Sequence, residues 1–354
     1  MINKLVKIWH HFPKLRQKQF WLLLILMIIA SLAEVISLGA VFPFLGVLVA
    51  PEQVYQHSLM QPIIQTLELT DPSQLILPLT ILFILAVLLA GAIRLILLYS
   101  ITRFSFSAGA DLSINIYRRT LYQEYSVHVS RNSSEVINGI ITKTGTVING
   151  IITPVLMLIS SIILLIGIIG VLFAINFGVA LSIFSGFGLL YWLVIRYTKK
   201  RLKNNSQIIA SQSTQMIKSL QEGLGGIRDV LIDGTQQFYC QIYRNADLPL
   251  RRAAGNNVFI SAFPRYIMEA IGMMLIAILA YVMTRQEGGI IAVIPILGAI
   301  ALGAQRSLPA IQGAYSSYSR IKGSKSSFED VLNLLDQPLP EYADQPLPKP
   351  IHFE

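Results

Sequence analysis

Trp21-Leu-Leu-Leu-Ile-Leu-Met-Ile-Ile-Ala30-Ser-Leu-Ala-Glu-Val-Ile-Ser-Leu-Gly-Ala40-Val-Phe-Pro-Phe-Leu-Gly-Val-Leu-Val-Ala50 is an apolar run whose only charged residue is Glu34. A helix needs roughly 20 apolar residues to cross a bilayer, and this run exceeds that. It follows a basic stretch, as the core of a signal peptide does, but it is too long and has no small-residue cleavage site. It therefore reads as a retained membrane helix. Five further apolar runs, at 75–102, 136–174, 178–197, 259–284 and 290–315, follow between polar breaks. With 53% hydrophobic and 13% charged residues, the chain is excluded from the soluble globular class. The expected fold is an all-α membrane protein with six long transmembrane helices.

Lysine and arginine crowd the segment before the first run, the connections between the second and third and between the fourth and fifth, and the tail. The opposite connections hold Glu52, Glu68 and Asp71, a neutral turn, and Arg285 with Glu287. Since basic residues stay on the cytoplasmic side, both termini are expected there, in an integral membrane protein of the bacterial inner membrane. The net charge of +9 is thereby explained without nucleic acid, because the basic residues have no aromatic stacking surface beside them. Cys240 is the only cysteine, and His10, His11, His57, His128 and His352 lack ligand spacing, so no metal site is expected.

The two long basic connections mix Ile, Leu and Met with Arg, Lys and Gln and contain few breakers until Gly223, Gly225 and Gly226. They read as membrane helices continuing beyond the bilayer. Between the first two runs, 51–71 reads as an external amphipathic helix interrupted at Pro62, or as an ordered loop. Residues 1–335 form the six-helix domain in this reading. The proline-rich stretch 336–354 reads as an extended linker.

Five ionisable residues lie inside the spans: Glu34, Arg94, Arg265, Glu269 and Arg306. Charges at that depth are costly and mark function by default. Arg265 and Glu269 are one helical turn apart and suited to pair. Three arginines against two glutamates still leave positive charge, and a guanidinium fork suits phosphate or carboxylate. Arg94, Arg265 and Arg306 are the candidate contacts to an anionic head group, with Glu34 and Glu269 beside them. No G-x-x-x-x-G-K-[ST] occurs, since Gly323-Ser-Lys-Ser326 lacks the upstream spacing. No catalytic residue and no cofactor site is expected in this chain.

Six spans with long helical extensions are similar to the transmembrane domain of an ATP-binding cassette exporter. Glu222-Gly-Leu-Gly-Gly-Ile-Arg-Asp-Val230 resembles the segment that precedes the second coupling helix in that family. The resemblance implies a coupling helix at 233–243, including Asp233, Gln237 and Tyr239, and another at 125–132, including Tyr125, His128 and Asn132. Glu34 with Ser37-Leu-Gly-Ala-Val-Phe-Pro-Phe44, Arg94-Leu-Ile-Leu97, Phe263-Pro-Arg-Tyr-Ile-Met-Glu-Ala-Ile-Gly272 and Arg306-Ser-Leu-Pro309 resemble the PglK-like lipid-linked oligosaccharide flippase group. Cavity arginines handle a substrate pyrophosphate in that group. Ile351-His-Phe-Glu354 resembles the opening strand of a nucleotide-binding domain. The resemblance thus implies a homodimer in membrane lipid, with ATP and Mg supplied through a nucleotide-binding domain in cis or in trans. A peptide or drug exporter domain and an ATP-independent carrier are the alternatives.

Overall fold

The computed structural model describes residues 2–49, 51–56, 60–66, 69–175, 177–283 and 289–344. It is 92% helical, with no strand among the described residues. The helices are α1 (Ile2–His10), α2 (Lys14–Gly39), α3 (Val41–Val49), α4 (Pro51–Tyr55), α5 (Gln61–Thr66), α6 (Ile76–Leu121), α7 (Tyr125–Ser130), α8 (Ser133–Asn138), α9 (Thr144–Val147), α10 (Thr153–Ile175), α11 (Phe177–Gly225), α12 (Ile227–Ile232), α13 (Gln236–Met283), α14 (Gly289–Gly323) and α15 (Lys325–Leu335).

Among the described residues, three helical stretches are long and apolar enough to cross a membrane: Lys14–Gly39, Pro72–Leu121 and Ser133–Val171. The other expected spans lie in α11, α13 and α14 and include residues whose side chains lie outside the described set. Arg285 also lies outside it. The long extensions are present: α6, α11 and α13 run for 46, 49 and 48 residues. At 1.5 Å per residue each is about 70 Å long, more than twice the hydrocarbon thickness.

The first apolar run is two helices, not one. The Pro43 ring cannot accommodate the carbonyl four residues back, so α2 stops at Gly39 and α3 restarts at Val41. The 51–71 segment is likewise split. Its break falls between Tyr55 and Gln61, and Pro62 is tolerated inside the first turn of α5, where no amide donor is needed. Val47, Ile64, Leu75 and Leu79 are buried together, and the Tyr55 hydroxyl donates to the Leu69 carbonyl at 2.9 Å. The segment is therefore folded onto α3 and α6 as a small cap.

The largest apolar core joins α1, α2, α6, α10 and α15. In α15, Phe328, Val331, Leu332 and Leu335 are buried at helical spacing, and Glu329 and Asp330 face outward to cations. Each such side chain contributes about 1.5 to 3 kcal/mol when fully buried. Lys4 donates to Glu329 at 2.6 Å and Lys7 to Asp336 at 3.1 Å, which docks the N-terminal helix against α15. Two π-helical turns, Gly139–Lys143 and Ile148–Ile152, interrupt the helix leading into α10. Gly109 lets α6 touch Ile148 there, because a β-carbon would overlap that side chain.

Candidate functional site

A cavity of about 580 Å³ opens between α2, α6, α10 and α14. Small residues make the enclosing contacts. Gly167 admits Val35 of α2, and Gly313 of α14 sits against Ser161 of α10. Pro154 and Pro309 line the wall, and each withdraws a backbone donor from the carbonyl one turn earlier. Glu34 from α2, Arg94 from α6 and Arg320 from α14 supply its charges, with Ser31, Ser161 and Gln305 as neutral polar groups. No ion pair to Arg94 or Arg320 is present among the described residues.

Of the five expected intramembrane charges, the structure brings Glu34 and Arg94 together on this cavity. Arg265 does not line it. Its Nε donates to Glu269 Oε1 at 2.8 Å along the outer face of α13, with the two side chains 62% and 42% exposed. The side chain of Arg306 lies outside the described residues, although its neighbours Gln305 and Pro309 line the cavity. Arg320 escaped sequence reasoning because it follows the last apolar run, where a cation reads as an orientation signal. Helical spacing from Pro309 and Gly313 could have found it, since 309, 313, 316 and 320 fall on one face.

At the basic end, α7 is a short helix between α6 and α8, with Tyr125 82% and Val129 67% exposed. The helix covers 125–130 of the 125–132 segment, and Arg131 after it is extended. Within that segment Asn132 caps α8, its side chain accepting from the Ser134 amide at 3.0 Å. His128 and Arg131 line a second cavity of about 290 Å³ beside Thr120 and Gln123.

In the second extension, residues 233–243 do not form a helix of their own. Gly225 ends α11, α12 occupies Ile227–Ile232, and Asp233 is its C-cap. Gly234, at φ +66°, makes the stop, a left-handed conformation that glycine adopts without cost. Gln237 and Tyr239 therefore belong to the first turns of α13, and Tyr239 packs against Gly223. Leu231 and Ile232 are 62% and 70% exposed.

The proline-rich stretch after α15 is held in place as far as the described residues reach. Arg118 donates to the Ala343 carbonyl at 2.6 Å, Arg119 to Gln337 at 2.5 Å and Gln123 to Pro338 at 2.8 Å. The chain runs as a strap across the end of α6, and Tyr342 meets the Tyr122 ring at 6.0 Å. Residues 345–354 lie outside the described set.

No curated protein matches the sequence. The profile of the ABC transporter transmembrane region matches residues 21–291, well over half of the 354. Domains of this kind are helical and membrane-embedded and work with nucleotide-binding domains. This chain belongs to the ABC transporter transmembrane region family and is an integral membrane protein.

Proposed function

We propose that the chain is the membrane half of an ATP-driven exporter or flippase that moves a phosphate-bearing amphiphile, most closely a lipid-linked oligosaccharide as in the PglK-like group. The observation that carries this reading is the cavity in which Arg94 and Arg320 outnumber Glu34 among serines and aliphatic walls. Two guanidinium groups beside an apolar surface suit a phosphate or pyrophosphate with a lipid attached. Six spans would place both termini and the basic end in the cytoplasm, in a bacterial inner membrane. In a homodimer the exposed α13 face would close on the shared space, adding Arg265 and Glu269. ATP and Mg would act through a nucleotide-binding domain joined after the strap or supplied separately. That domain would press on α7 and α12.

The test is ATPase stimulation in the chain joined to, or combined with, a nucleotide-binding domain. A polyprenyl pyrophosphate saccharide should stimulate turnover, and the corresponding polyprenol without phosphate should not. Stimulation by peptides or neutral drugs instead would favour an exporter of those compounds.

A further inference from the structure

Beyond the level of Tyr315, α11 and α14 run side by side toward the basic end. One polar contact joins α11 to α14 and a second, just beyond the end of α14, joins α11 to the start of α15. The Thr198 and Tyr315 hydroxyls are 3.4 Å apart, and the Ser326 amide donates to Ser206 Oγ at 2.8 Å. Between these points the seam carries Lys199 from α11 and Tyr318, Lys322 and Lys325 from the other side. Lys322 follows Tyr315 by seven residues and so shares its face of α14. Its ammonium lies 5.8 Å from the Tyr318 ring centroid. Arg320 is rotated by about 200° from Lys322 and faces the cavity instead.

The seam has more cations than its carboxylates offset. Glu329 is shared between Lys4 at 2.6 Å and Lys325 at 3.4 Å. Among the described residues no carboxylate pairs with Lys199 or Lys322. Partial burial, then repulsion from Lys199 and Lys325, holds the Lys322 ammonium below the ordinary lysine range. An anion seated there would relieve both costs.

The seam also sits at the depth of a membrane interface. On α11, just before Lys199, Trp192 and Tyr197 are 54% and 67% exposed. Arg196 lies 5.7 Å from the Trp192 ring, and Arg201 lies 5.0 Å from the Tyr197 ring while donating to its hydroxyl at 3.1 Å. Tryptophan and tyrosine backed by cations mark the headgroup level.

We infer that the α11–α14 seam at Lys199 and Lys322 binds the headgroup phosphate of a resident anionic phospholipid, at a site separate from the cavity. The lipid would brace α14 against α11 between the cavity and the basic end. A basic residue beside an anionic membrane surface is worth about 1 kcal/mol, roughly fivefold in affinity. The test is native mass spectrometry of the purified 354-residue chain with phosphatidylglycerol or phosphatidylcholine. Phosphatidylglycerol should be retained preferentially. Lys199→Gln/Lys322→Gln should lose about twenty-five-fold, Lys199→Arg/Lys322→Arg should keep it, and Lys218→Gln, farther along α11, should leave it unchanged. Equal retention of the two lipids, or full retention by the double Gln variant, would overturn the site. Displacement of the lipid by millimolar inorganic phosphate would overturn it as a lipid site and assign it to free phosphate.

Discussion

Arg265 and Glu269 satisfy each other at 2.8 Å on an exposed face of α13, outside the cavity that Glu34 and Arg94 share. In an apolar span, either charge without the other is unfavourable. Glu269→Gln should therefore lower the melting temperature of the detergent-solubilised chain, and the double variant Arg265→Gln/Glu269→Gln should recover part of the loss. Strictly additive losses would show that the two side chains do not interact.

A second ion pair anchors the π-helical turns. Lys143, with 7% of its side chain exposed, donates to Asp330 of α15 at 2.6 Å. Removing Asp330 leaves a buried ammonium, whereas removing Lys143 leaves a carboxylate that water can reach. Asp330→Asn should cost about 2 kcal/mol or more, and Lys143→Met should cost less. Thermal unfolding of the two variants checks the order, and the reverse order would contradict it.

The docking of α1 carries a pH dependence. Burial pushes the Glu329 carboxyl up, but the hydrogen bond from Lys4 and the charges of Lys325 and Lys4 outweigh it and hold the group below its ordinary 4.5. A depressed carboxylate stabilises the folded state above the unfolded value. That contribution is fully present at neutral pH and fades as pH falls below 4.5 through the folded value. Hydrogen exchange of residues 2–10 should accelerate as pH falls below 4.5, after correction for the intrinsic rate. In Glu329→Gln the exchange should already be faster at neutral pH and change little more.

If α12 is the surface that meets a nucleotide-binding domain, as proposed, its exposed apolar side chains and the start of α13 should respond differently to substitution. In a complex with a nucleotide-binding domain, Leu231→Asp or Ile232→Asp should abolish coupled transport while the domain still binds ATP. Gln237→Asp should be milder. Full transport in the α12 variants would remove that helix from the interface.

Much of this architecture was readable where one residue type forces one backbone outcome. The apolar runs announced a helical membrane fold, three of them as helices long and apolar enough to cross a membrane among the described residues, and the triple Gly223, Gly225 and Gly226 announced the end of α11. The break after Gly39 was less visible, because Pro43 sits within an otherwise unbroken apolar run and its effect falls one turn earlier. The break between α12 and α13 was not visible, because it rests on Gly234 in a left-handed turn, and many glycines never adopt that conformation. The π-helical turns leave no trace in composition. The prolines after Asp336 suggested extended backbone, whereas Glu341–Asp344 turns as a short 3-10 helix, and docking depends on carbonyls that Arg118, Arg119 and Gln123 reach across more than 200 residues. Periodicity reports nothing over such a separation.

The most direct test of the central claim is flipping of a fluorescent polyprenyl pyrophosphate saccharide in proteoliposomes, by the chain joined to a nucleotide-binding domain, comparing wild type with Arg94→Gln and Arg320→Gln. Loss of one charge-assisted contact costs about 1.5 to 3 kcal/mol, so each variant should need roughly tenfold to a hundredfold more substrate while basal ATPase is retained. Unchanged substrate dependence in both variants, at normal expression, would show that the cavity does not recognise a phosphate.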